Sequence, residues 1–139
     1  MRKSLVSRLD VITPLTYKPA LKRRETLKFV RQRRPDAPNL VRGWLQAEPA
    51  RKLPNLAKVP QLIVVGEASY HATYDHCTAA YLQQAGVPVE FLRLEDAGIR
   101  GNGHMMMLEK NSDVIAGVLL NWLEKTLKTR AARKLRRKR

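Results

Sequence analysis

The sequence is poor in the residues that staple or stack a small fold. Its 139 residues include one cysteine, Cys77, two phenylalanines and two tryptophans, and aromatic residues make up 6% of the chain. One cysteine excludes an internal disulfide framework, so a reducing, cytoplasmic setting is the simpler expectation. Long apolar runs are missing as well: none reaches the roughly 18 residues that a membrane-spanning helix needs. Met1 to Tyr17 carries early positive charge, but Asp10 and Pro14 interrupt the apolar stretch of a secretory leader. Neither export nor a membrane span is expected.

Acidic residues are scarce, and the scarcity is local. The chain has 27 Lys and Arg against 12 Asp and Glu, a net charge of +15. Residues 1–42 hold 12 basic and 3 acidic residues, residues 43–124 hold 6 and 9, and residues 125–139 hold 9 and none. The middle is therefore an ordinary, mildly acidic domain, and any affinity for nucleic acid must rest on the two ends. The final run, KTLKTRAARKLRRKR, also lacks the aromatic platforms of single-strand readers. A solvated tail prolonging a helix is the expectation, with salt-dependent binding to phosphate or an anionic surface as the alternative.

Prolines at 14, 19, 35, 38, 49 and 54 break the first third repeatedly, so residues 1–59 read as a loop-rich basic region. Leu21 to Arg34, with Leu27 and Val30 at helical spacing, reads as a short surface helix or an irregular connection. From Pro60 the pattern sharpens. A β-branched apolar run between Pro60 and Gly66 predicts a buried parallel strand over 62–65. A helix over 75–85 follows, with Tyr74, Cys77, Tyr81 and Ala85 on one face and Gly86 as its stop. A second strand spans 89–94, and a last helix spans 112–126 from a cap at Asn111 or Ser112, its apolar face holding Val114, Ile115, Val118, Leu119, Trp122 and Leu123. The class is α/β with a right-handed β-α-β crossover. Residues 1–59, 60–125 and 126–139 form the three expected regions.

Chemistry concentrates in Gly98 to Leu108, GIRGNGHMMML. This loop sets His104 beyond the carboxyl end of a parallel strand, where open α/β sheets place their ligands. Met105, Met106 and Met107 read as apolar packing rather than a cofactor box. His71, His76, Asp75 and His104 raise the question of a metal. His71 and His76, however, are five residues apart rather than the four that put two imidazoles on one helical face, so no metal or cofactor is expected.

The segments PQLIVVGEASYHATYDHCTAAYLQQAG and VPVEFLRLEDAGIRGNGHMMMLEKNSDVIAGVLLNWLE resemble the C-terminal end of a family of bacterial and fungal α/β-hydrolases related to a bacterial esterase. The specific part is GNGHMMM followed by an asparagine-containing helix start. PLTYKPA and WLQAEPARKLPNL are similar too, which extends the resemblance over residues 12–125. It implies a mostly parallel eight-stranded sheet with a serine nucleophile, an acid, and a histidine in the loop after the last strand. His104 matches that histidine, the general base.

The sequence departs from the family pattern where the serine belongs. It contains no G-x-S-x-G elbow, and its serines are Ser4, Ser7, Ser69 and Ser112. Cys77 lies in a predicted helix rather than on a turn. Among the carboxylates, Glu67 follows the first strand and is the candidate orienting acid. Asp75 suits the positive end of the helix, and Asp96 reads as solvated. The expected function is that of a partial α/β-hydrolase, esterase-like, truncated or split, retaining the triad histidine and inactive as a single chain. Its expected partners are an ester substrate, if complemented, and a second copy or a complementary hydrolase chain, because two parallel strands cannot cover their own edges. The alternative is a non-catalytic basic protein that binds nucleic acid or anionic surfaces through its charged ends, chiefly 126–139.

Overall fold

A computed structural model describes residues 15–136. They form two small sheets and two helices, an arrangement compatible with a partial α/β fold. Strands β1 (Phe29–Arg31) and β2 (Trp44–Gln46) pair antiparallel, with Val30 opposite Leu45. Strands β3 (Gln61–Val65) and β4 (Val89–Arg93) pair parallel, with Ile63 opposite Phe91, and are joined through helix α1 (Asp75–Gln84). Helix α2 (Ser112–Arg136) closes the described chain.

The β-α-β unit follows the sequence closely. β3 is the β-branched run, held between a proline and a glycine that cannot prolong it. α1 stops at Gly86, whose φ of +77° is open to glycine at little cost. There the amide of Val87 bonds the carbonyl of Leu82 at 2.9 Å and that of Gly86 bonds Gln83, a Schellman closure. The two residues of its hydrophobic contact, Val87 and Leu82, then join one core cluster with Tyr17, Leu53 and Ala85.

Several expectations need correction. Leu21 to Arg34 holds no helix but the strand β1, because Phe29 and Val30 find an extended partner in Trp44–Gln46. β4 ends at Arg93, since Leu94, with 0% of its surface exposed, begins a 3-10 turn. The buried residues within α1 are His76 and Ala79; of the expected face, Ala85 is 1% exposed just past the helix end, while Tyr74, Cys77 and Tyr81 are half-buried. The last helix runs ten residues beyond 126, through most of the expected tail: no glycine or proline follows Gly117, and Lys, Arg and Ala are strong helix formers. Of its predicted face, Ile115 is buried and Val118 packs against the same core, whereas Val114 and Leu123 are 52% and 45% exposed. Only Met106 of the three methionines reaches that core, formed by Leu94, Ile99 and Ile115. A 3-10 turn over Met106–Leu108 sets successive side chains about a third of a turn apart, so its neighbours face water.

Polar closures hold what these small cores do not. The Gln84 side chain bonds the amide and the carbonyl of Gln46 at 2.8 and 2.9 Å, fastening α1 to β2. A second closure fixes the glycine loop. Asn102, 1% exposed, donates to Glu109 Oε2 at 2.5 Å and Asn111 Oδ1 at 2.7 Å and accepts from Asn111 Nδ2 at 3.0 Å. Glu109 Oε1 takes the Gly103 amide at 2.6 Å. Asn111 precedes α2 as expected, but its side chain is committed to Asn102 rather than to a helix amide. The loop lies directly on the end of β3: the Ala68 amide bonds the Asn102 carbonyl at 3.0 Å, and a Cβ at Gly66 would overlap that carbonyl and lie 2.9 Å from that of Gly103.

Two variants test this closure. Gly66→Ala forces the loop off the strand end, and a loss of about 1–3 kcal/mol is expected in urea unfolding. Asn102→Ala leaves the Asn111 and Glu109 groups short of a buried partner, with an expected loss of about 1–3 kcal/mol in the same measurement.

Candidate functional site

The loops that follow β3 and β4 meet at the carboxyl edge of the parallel pair. β3 leads into Gly66, Glu67 and a turn in which buried Ser69 accepts the His71 amide at 3.1 Å. β4 leads through its 3-10 turn to Gly98 and Gly101, both in the left-handed region, and on to Asn102–Gly103–His104. His104 thus stands, exposed, on a loop whose backbone is pinned on either side of Gly66.

Glu67 occupies the same edge, 34 residues earlier in the chain than the Gly101 amide that its Oε2 accepts at 3.0 Å. Its Oε1 takes the Arg100 guanidinium at 2.7 Å. Among the described residues its carboxylate is joined to those two groups and not to His104. Glu67 therefore braces the loop that carries the histidine. Gly101 suits the contact, because its φ of +77° turns that amide without a side-chain penalty.

The contacts of the His104 ring are aromatic. It stacks on His71 with centroids 4.4 Å apart and planes at 13°, and Tyr70 leans on it at 4.6 Å. Tyr74 flanks His71 on the way into α1 at 4.7 Å. His71 is itself fixed: its Nδ1 donates to Asp75 Oδ1 at 2.9 Å, and a carboxylate that only accepts sets that tautomer. Asp75, expected to serve the helix terminus, does so as the first residue of α1 and orients His71 as well. Neither the loop spacing nor the separate histidines foretold this layer of rings, although YHATYD places Tyr70, His71, Tyr74 and Asp75 within the six residues that lead into the helix.

The other histidine and the cysteine lie apart from this edge. His76 is buried, and its Nε2 lies 3.1 Å from the Val41 carbonyl, which demands a proton on that nitrogen. Cys77 Sγ, 3.4 Å away, meets a donor there rather than a base. Burial, reinforced by Asp36 and Asp75, also pushes the Cys77 thiol above its ordinary value, so it is a poor nucleophile at neutral pH. Stacked imidazoles present ring faces to each other rather than nitrogen lone pairs. Among the described residues no three His, Cys, Asp or Glu side chains are grouped to hold a metal ion.

The arrangement is that of an exposed imidazole on a rigid loop, backed by rings and braced through a carboxylate, at the edge of a parallel sheet where substrates are met. One known protein matches over a large part of the chain. A protein named "Probable secreted lipase phiG", from a fungus given as Fungal sp. (strain ATCC 74256), is 57% identical over 81 residues. The match covers 58% of this chain and 22% of the length of that relative. No protein-family profile and no solved structure matches. The expectation of a cytoplasmic protein is corrected by this finding, because the relative is named as secreted, which points outside the cell. A lipase-like, hydrolase-related region is thus present in the chain.

Proposed function

We propose that the chain is the histidine-bearing portion of an esterase-like α/β-hydrolase that acts on ester substrates outside the cell. The single observation that carries this reading is His104 itself, held by a closed polar network at the carboxyl edge of β3 and β4 in a chain with a lipase-like region. In the complete reaction His104 takes the proton from a serine hydroxyl as that oxygen attacks the ester carbonyl, and returns it to the departing alkoxide. Water then repeats the sequence on the acyl-enzyme. The 139 residues hold no G-x-S-x-G, so the serine comes from residues outside this sequence, through a partner chain or a longer protein.

Glu67 is the orienting carboxylate, and it acts through the loop by holding Arg100 and the Gly101 amide. The stacked His71 limits rotation of the His104 ring from its other side. Alone, a general base without a nucleophile performs no covalent acyl transfer.

The 139-residue chain is accordingly expected to leave p-nitrophenyl butyrate untouched. Joined behind the preceding part of the lipase relative, it is expected to give turnover that His104→Ala lowers by about 10⁶-fold. Glu67→Gln is expected to lower kcat more than Asp75→Asn does. A fusion whose activity ignores His104→Ala overturns the reading, and the reverse order of the two carboxylate variants transfers the orienting role to Asp75.

A further inference from the structure

Helix α2 carries two apolar stripes, and among the described residues only one of them has a partner. The inward stripe holds Ile115, Val118 and Trp122, whose indole nitrogen donates to Glu90 Oε2 at 2.9 Å. The second stripe, about two fifths of a turn away, passes through Ala116, Leu120, Leu123, Leu127 and Ala131 at steps of four, three, four and four residues. All five face outward, with Leu120 59%, Leu123 45% and Leu127 56% exposed. Three leucines in a continuous exposed row are an apolar patch rather than scattered surface residues.

The same helix then becomes strongly basic. After Glu124, residues 125–139 contain nine Lys and Arg and no acidic residue. Lys128 and Arg130 stand on either side of the leucine row by helical spacing and are exposed, Lys128 paired at 3.3 Å with Glu124 one turn earlier and Arg130 donating to the Lys58 carbonyl at 3.0 Å.

The geometry points to α2 as a helix that lies on an anionic lipid surface, its leucines in the acyl boundary and its lysines and arginines against the head-group phosphates. Charge and apolarity together select this occupant. A second copy packed parallel would bring two runs of nine like charges together, which Coulomb repulsion opposes, and one packed antiparallel would leave both runs without a counter-charge. A nucleic acid would answer the charge and leave the leucines in water. A lipid surface with anionic head groups takes both, and long basic side chains reach the phosphates while their stems stay apolar. No helix among the described residues is long and apolar enough to cross a membrane, so the contact is along the surface. The inference is independent of the hydrolase reading, because its measurement needs no substrate.

The test is co-sedimentation of the full 139-residue chain with vesicles of mixed phosphatidylglycerol and phosphatidylcholine, and with vesicles of phosphatidylcholine alone. Binding is expected to the first and much less to the second, and to weaken with salt. Leu123→Ser with Leu127→Ser is expected to lower the partition coefficient by about tenfold or more. Both positions are exposed, and circular dichroism checks that helix content is unchanged. Lys128→Glu with Arg130→Glu is expected to remove the preference for the anionic vesicles. Absence of vesicle binding overturns the inference, as does a double serine variant that binds like the parent while double-stranded DNA competes for the same chain, which would leave charge alone as the cause. Self-association by sedimentation that disappears in the serine variant overturns it as well, and assigns the stripe to a contact between copies.

Discussion

Everything near the candidate site depends on where the Asn102 side chain sends its hydrogen bonds. A buried carboxamide has four bonds to satisfy, and Asn102 meets three of them with the Glu109 carboxylate and both atoms of the Asn111 amide. Its own carbonyl, held by the Ala68 amide, leaves no room for a side chain at Gly66. Through those few contacts the end of β3, the loop bearing His104 and the start of α2 become one rigid piece. Left unpaired, the same group would cost more than the bonds return, because desolvation of a buried polar atom is the larger quantity.

Polarity carries this load because apolar burial is limited. Tyr17, Leu53, Ala85 and Val87 form one small cluster, and Leu94, Ile99 and Ile115 another. Two such clusters cannot order long loops by packing alone, and the loops around them are fixed by polar contacts: the Gln84 side chain on the Gln46 backbone, Asn102 with Asn111, and Glu67 with Arg100. Residues 15–59 contribute to the first cluster through Tyr17 and Leu53, so the proline-broken stretch is packed although little of it is regular.

The β-α-β unit was legible because its signals are local: a β-branched run, a glycine stop, a second alternating run. His104 at the carboxyl edge was legible for the same reason, since chain order alone places the loop there. What escaped the sequence is long-range. Phe29–Arg31 has no strand signal strong enough to outweigh its basic neighbours, and only Trp44–Gln46 across the pair decides it. The Asn102–Glu109–Asn111 network is invisible because no single polar residue announces that it is buried. The full length of α2 escaped through the reading of a charge run as a tail, although nothing in its composition breaks a helix.

The separations along the chain within the site carry a consequence for how it forms. Asn102 and Asn111 are nine residues apart, so their loop closes with little entropy to overcome, whereas Glu67 and Arg100 are 33 apart and must wait for the crossover through α1. Closure entropy rises only with the logarithm of length, yet order of formation follows it. The loop from Asn102 to Asn111 can therefore close early, whereas the bridge that fastens it to the end of β3 forms only once the crossover has brought the two strands together.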